Sequence, residues 1–471
     1  MAGVPHSQVC TLDSATLLPT VSSLLSYIVG MTDLDRLLPA SEAARLDAYL
    51  DRLVLVLRQP VRGRMARAYC LGLLAAPGRK SIEPLAGLHG ARHGSGLYQS
   101  LHHFVADARW DDAALLAAVA REVLPAIERH GPIRAWIVDD TALAKKGRHS
   151  VGVAPQYSGR LGTTANCQVA VSLSLANAAA SLPVAWQLYL PEAWAADHER
   201  CRAAGVPLAV RFRTKLEIAL EQLGAAVVLG LPKGVVLADE AYGGAVQFRQ
   251  GTRALGLDYA VAVDRAQGLL LPDGKGPLAA RAAAHLLPEA AWQAMPGRPA
   301  GLRYAALRVR AAPYGRPGPE EWLLCERGQG KAAEERFWLT SLPAETGLEE
   351  LVTIATLRWR VERDYEELKQ EVGLGHFQGR GWRGFHHHAS LCIAAYGFLV
   401  QERCLFPPES QGWPDRAGDP GTAAAAQPLL HSLAQAGAPA GPDPTPALLP
   451  LVRHDPNLIP QRARQPASVI Q

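Results

Sequence analysis

Residues 357–378 read LRWRVERDYEELKQEVGLGHFQ. In a helix, positions four, seven and eleven apart return to nearly the same angle around the axis. Ile354, Leu357, Val361, Tyr365, Leu368 and Val372 then form one apolar stripe, and Arg358, Glu362 and Lys369 line its border. An Arg–Glu pair at i,i+4 on a solvated face would be worth only about 0.2–0.5 kcal/mol. A carboxylate bracketed by two cations on a core-facing edge also suits a site that handles phosphate. Spacing alone leaves both readings open, so the decision falls to the acids upstream.

Two apolar runs end in carboxylates. Residues 135–138 stop at Asp139–Asp140–Thr141, and residues 234–238 stop at Asp239–Glu240, with Tyr242 and two glycines behind. Both read as buried strands delivering acids at their C-terminal ends. Between them, residues 167–175 and 182–190 alternate around a small-residue turn at 177–180, which predicts a hairpin. A helix is expected at 212–223 and a fifth strand at 259–263. Either Asp alone is an ordinary turn or cap residue. The order strand, hairpin, helix, strand, helix, strand, long helix is more specific. It is that of an α/β, ribonuclease H-like core, which gathers three such acids at one end of a mixed sheet.

Three carboxylates without His or Cys make a hard oxygen site suited to Mg²⁺ or Mn²⁺. Two ions roughly 4 Å apart can activate a water or 3′-hydroxyl and stabilise a leaving 3′-oxygen in an in-line displacement. Arg358 and Lys369 would bind the flanking phosphates. Glu240, Glu366 and Glu367 compete as acids, but the bracketing cations favour Glu362.

The rest of the chain bounds this reading. Its 471 residues suggest two or three domains, 48% hydrophobic content supplies a core, and the formal charge is only +4. Seven scattered cysteines without a CxxC pair point to reduced thiols in a cytoplasmic protein, not a zinc ribbon or disulfide framework. No signal sequence or membrane-spanning run is visible, so no membrane partner is expected. Residues 1–40 read as weakly ordered, with a short apolar segment at 17–29. Residues 41–132 read as a helical, DNA-binding domain. Arg62, Arg64 and Arg67 belong to a local basic excess that suits phosphate contacts, although a solvated face would look the same. The core is expected at 133–263 and 346–406, split by a β-rich insertion at 264–345. A Gly/His/Arg loop at 373–388 is followed by a last amphipathic helix at 391–404. The tail 407–471 reads as disordered, with Arg453, Arg462 and Arg464 making it basic at its end.

Several stretches resemble the DDE-type transposases of bacterial insertion sequences, specifically the insertion sequence 701 family. They are Trp136-Ile-Val-Asp-Asp-Thr141, the Lys145-Lys-Gly-Arg-His-Ser-Val-Gly-Val153 loop, Asn166-Cys-Gln-Val-Ala-Val-Ser-Leu-Ser174, Leu237-Ala-Asp-Glu-Ala-Tyr-Gly243 and Gly381-Trp-Arg-Gly-Phe-His-His-His388. Hairpin-forming relatives carry the signature Tyr, two residues, Arg, three residues, Glu, six residues, Lys. Arg358, Glu362 and Lys369 fit its last three places, while Ala355 stands where the Tyr would be; Trp359 or Tyr365 could supply that contact.

The resemblance implies Asp239 and Glu362 as second and third metal ligands, with Asp followed by Thr favouring Asp140 as the first and Asp139 as its substitute. It implies two Mg²⁺ or Mn²⁺ ions, and phosphate contacts from Arg358, Lys369, Lys145 and Lys146. The implied activity is cleavage of double-stranded DNA at terminal inverted repeats and joining to target DNA, by a homodimer in a synaptic complex at the bacterial nucleoid. It also places the insertion over the active site, with Trp322 or Trp338 as candidates to hold a flipped base, core packing being the commoner role for each. A catalytically silent DNA-binding regulator and a nuclease without strand transfer are the rival functions.

Overall fold

In a computed structural model, which describes residues 40–158, 162–311, 318–328 and 334–407, the apolar run at 135 opens a ten-residue strand. The N-terminal tail and the C-terminal tail discussed above lie outside the described residues.

The described residues open with five helices: α1 (Ala40–Val54), α2 (Pro60–Ala75), α3 (Ile82–Gly87), α4 (Gly96–Ala106) and α5 (Asp112–Glu128). Leu46, Tyr49, Leu50 and Leu53 bury one face of α1, as the helical period predicts. Arg58 takes a left-handed conformation after α1, and Pro60 then starts α2 at a position where its missing N–H costs nothing. Ser95 and Asp111 cap α4 and α5 by accepting from the Tyr98 and Ala114 N–H groups.

Strands β1 (Ala135–Ala144), β2 (Ala154–Ser158), β3 (Thr163–Ala176) and β4 (Ser181–Leu188) follow, then α6 (Glu192–Ala196), α7 (His198–Ala203) and α8 (Lys215–Val228). Next come β5 (Val235–Ala238), α9 (Glu240–Gly243), α10 (Val246–Ala254) and β6 (Tyr259–Val263). The core order is β4-β3-β1-β5-β6. Its β4/β3 and β3/β1 pairs are antiparallel, and its β1/β5 and β5/β6 pairs are parallel. That is the ribonuclease H-like sheet. The fold class expected from the sequence therefore holds.

The segment after β6 contributes β7 (Gly268–Leu270), β8 (Leu278–Ala279), α11 (Ala280–Ala284), β9 (Arg303–Ala311), β10 (Glu320–Arg327) and β11 (Glu335–Thr340). β11 pairs with β6, so the segment prolongs the core sheet at its edge. It has its own small apolar core, including Leu269, Ala283, Val309, Leu323 and Leu339.

The chain returns through α12 (Leu348–Thr356), α13 (Trp359–Gln370) and α14 (Trp382–Leu405). The stripe of Ile354, Leu357, Val361, Tyr365, Leu368 and Val372 is buried throughout. Three departures from the sequence reading stand out. The helix expected to run unbroken from 348 divides at Leu357–Arg358, where the Leu357, Arg360 and Val361 N–H groups make tighter i→i−3 bonds. β1 continues six residues beyond Val138, so the acid pair sits inside the strand. Finally, α14 begins at Trp382 and takes in the three histidines. It packs against α2, α4, α5 and β4 and has almost no solvent face, so it lacks the amphipathic pattern expected of it.

Candidate active site

Register decides which acids meet. β1 and β5 pair in parallel as Ala135–Val235, Trp136–Val236 and Ile137–Leu237. Asp139 lies two residues further along β1, and Asp239 lies just past the end of β5 at the start of α9, near enough for the Asp239 carboxylate to act on that of Asp139. On its other side Asp139 stands opposite Ser172 of β3. Tyr365 of α13 lies near Ser172, Ser174 and Asp139, so this is the sheet face that α13 covers. From the start of α13, Arg358 Nη1 lies 3.9 Å from Asp139 Oδ1 and 3.1 Å from Glu362 Oε1. Asp239 caps α9, its Oδ1 accepting from the Ala241 and Tyr242 N–H groups at 3.0 and 3.4 Å.

The Asp139 side chain is only 15% exposed. Burial pushes its carboxyl up to about 7, the Arg358 guanidinium works against this, and the Asp239 and Asp140 carboxylates add to it. An oxygen-only donor set whose central carboxylate resists ionisation beside two others is one that a hard dication would relieve. The residues therefore fit such an ion. The arrangement is open, however: among the described residues no three of these acids converge on a ready cation cage, and Glu362 is 65% exposed and drawn to Arg358.

Asp140 points to the opposite face, as alternation along a strand requires. Its Oδ1 accepts from the Tyr242 hydroxyl at 2.5 Å, and its Oδ2 lies 2.5 Å from Lys215 Nζ. Lys215 is the first residue of α8, held there by a Thr214–Glu217 capping box. The Asp-Thr pattern favoured Asp140 as the first ligand; the geometry favours Asp139. Lys215 carried no signal in the sequence, since 75 residues separate it from Asp140. Tyr242 was visible only as part of a motif.

The predicted cations divide. Lys369 is half-buried on α13 and Lys146 is exposed. Lys145 donates to the Phe377 carbonyl at 2.7 Å, and burial together with Arg79 lowers its ammonium to about 8. Arg62 and Arg64 are partly exposed on α2. Arg67 is different: its side chain is 13% exposed and pairs with Asp47 at 3.2 Å and with Asp51, joining α2 to α1. It is therefore a structural residue and not an open phosphate contact.

Ala355 is buried inside α12, and Tyr365 is buried as well, which leaves Trp359, beneath the Arg360 guanidinium, as the half-exposed aromatic near Arg358. Trp338 lies in the core, whereas Trp322 is partly exposed, donates to the Pro343 carbonyl at 3.0 Å and sits 4.8 Å below Arg308. The histidines are structural and lie within α14, not ahead of it. His386 accepts from the Leu188 N–H, His387 lies between the Val105 and Trp110 carbonyls, and His388 bonds the Tyr69 hydroxyl. Six cysteines among the described residues are free.

With this geometry in view, comparison places the chain. Residues 53–308 match the DDE superfamily endonuclease family, and the chain belongs to it. It is 30% identical over 194 residues to a probable transposase for insertion sequence element IS701 from Microchaete diplosiphon. That similarity covers 41% of this chain and 47% of the relative, so the chain matches about half of that protein's length. A solved piggyBac transposase synaptic complex with hairpin DNA is 12% identical, covering 80% of this chain and 73% of that one, with a TM-score of 0.37. At that score the fold assignment rests on the sheet order alone. No helix among the described residues is long and apolar enough to cross a membrane.

Proposed function

We propose that this chain is a transposase that binds the terminal inverted repeats of its element, cleaves the DNA there and joins the ends to target DNA. The observation that carries the reading is the proximity of Asp139 on β1 to Asp239 just past the adjacent parallel strand β5, with Arg358 linking Asp139 to Glu362. Asp139, Asp239 and Glu362 would hold two Mg²⁺ or Mn²⁺ ions, which in this chemistry activate the attacking oxygen and stabilise the leaving one. Arg358 then has a second role. With those carboxylates holding metal, its guanidinium would be available to a phosphate oxygen, and Lys369 further along the helix would hold the neighbouring phosphate. Lys146, Arg62 and Arg64 would add sequence-independent contacts along the duplex. We place the protein in the bacterial cytoplasm on nucleoid DNA, acting as a homodimer that pairs two ends.

The test is Mg²⁺-dependent cleavage of a labelled duplex carrying the element's own end, followed by strand transfer to a plasmid. Cleavage and joining by wild type, lost in Asp139→Asn and Glu362→Gln, are the expected results. Cleavage without joining would make the protein a nuclease. Binding without cleavage in either metal would make it a regulator, a reading that the buried Ala355 at the signature Tyr position favours.

A further inference from the structure

Asp140 stands one residue from the proposed first ligand yet faces away from it, and both its oxygens are occupied. Oδ1 takes the hydroxyl of Tyr242 and Oδ2 the ammonium of Lys215. Tyr242 belongs to α9, the short turn of helix capped by Asp239, and its own backbone N–H donates to Asp239 Oδ1. One side chain thus touches Asp239 at its backbone end and the strand bearing Asp139 at its hydroxyl end. Tyr242 is 1% exposed and meets Phe248 edge-on, so the ring has no freedom to drift. On the far side, Lys215 ties the same carboxylate to the start of α8.

We propose that Asp140, Tyr242 and Lys215 form a strut that sets the separation between Asp139 and Asp239, with Asp140 a positioning residue and not a metal ligand. This rests on the assignment of Asp139 and Asp239 to the metal. β1 and β5 hydrogen-bond only as far as Ile137–Leu237, so the ladder no longer fixes the spacing where the acids stand. The Tyr242–Asp140 bond crosses that gap. Partners of this kind, which orient a ligand without touching the ion, commonly govern metal affinity by roughly tenfold or more. Lys215 and Tyr242 hold both oxygens of Asp140 turned away from that face, so that it does not compete for the ion.

The experiment uses the full chain and Mn²⁺ alone, titrated by electron paramagnetic resonance, with thermal unfolding in parallel. Tyr242→Phe keeps the ring packing and removes one hydroxyl. Its expected result is Mn²⁺ affinity weaker by roughly tenfold with a melting temperature close to wild type. Asp139→Asn should lose the high-affinity site. Asp140→Asn, whose amide oxygen can still accept from Tyr242, should weaken binding without abolishing it. Unchanged affinity in Tyr242→Phe, with Asp139→Asn defective, would overturn the strut and leave the ligand assignment standing. Lost binding in Asp140→Asn with intact binding in Asp139→Asn would overturn the ligand assignment itself.

Discussion

Gly243 closes α9 against β6, and replacing it by alanine tests whether that turn is a rigid mount for Asp239. A Cβ built there meets the Ala262 carbonyl oxygen inside any real contact distance, and stands 3.0 Å from both the Ala262 carbonyl carbon and Val261 Cβ. The obstacle is strand backbone, held between β5 and β11, so the strand cannot yield as a flexible side chain would. α9 must lift by on the order of 1 Å, a misplacement that commonly costs a catalytic site about a hundredfold. Overpacking of this kind destabilises by about 1–3 kcal/mol, or roughly 1–3 °C in a chain of this size. Gly224→Ala is the control. It lies within α8 with only Leu255 Cδ2 nearby, at 3.7 Å. That substitution should stabilise by about 0.5–1 kcal/mol. Differential scanning fluorimetry and Mn²⁺ titration read both variants. A Gly243→Ala protein with wild-type melting and wild-type Mn²⁺ affinity would refute the argument that α9 is fixed to the sheet.

Asp239→Ala and Glu362→Ala should abolish cleavage while leaving binding to an end duplex within about twofold in a mobility-shift assay, since phosphate contacts and not the acids carry affinity. Arg67→Ala should lower stability by about 1 kcal/mol, through lost pairs and lost packing of its stem, with little change in DNA affinity; a large loss of DNA binding in a folded variant would return Arg67 to the DNA surface. Burial depresses His387 and His388 to about 4. The unfolded chain then takes up their protons first, so their stabilisation is complete above pH 6.5 and lost as pH falls toward 4, by up to about 3 kcal/mol each. Asp364, raised to about 6 by burial, acts in the opposite sense over the same window. Denaturant midpoints from pH 7 to pH 4 should therefore fall, and fall less in His387→Gln; an equal fall in both proteins would exclude His387 as a source.

The parts that were legible in the sequence are those governed by local pattern. The strand at 259–263 falls where expected, and the hairpin around 177–180 and the buried stripe of α13 follow from periods of two and of about 3.6. Asp239 was readable because an apolar run ends there. The Asp139–Asp140 choice was not. Alternation says that the two oppose each other, but which face α13 covers is a tertiary fact, set by the β1/β5 register and by Tyr365. The histidines failed for a related reason. Gly381 and Gly384 with three polar rings read as a loop, yet each ring finds a partner in another element, and those partners lie between 198 residues (Leu188 to His386) and 319 residues (Tyr69 to His388) away in the chain. Arg67 shows the limit of charge counting, because its acids, Asp47 and Asp51, sit on a separate helix.

The near-complete burial of α14 makes it a fixed spacer between the N-terminal helices and the sheet. One side of that helix rests on the N-terminal helices and another on β4 of the catalytic sheet, with Glu402 gripping Arg45 of α1 and Arg403 gripping Glu367 of α13. A duplex seated on the helical layer would stand at a set distance from the carboxylates. The choice of which phosphodiester is presented for cutting would then be counted off along the DNA from where the helices grip it, and shortening the spacer in the duplex by one base pair would move the cut by one.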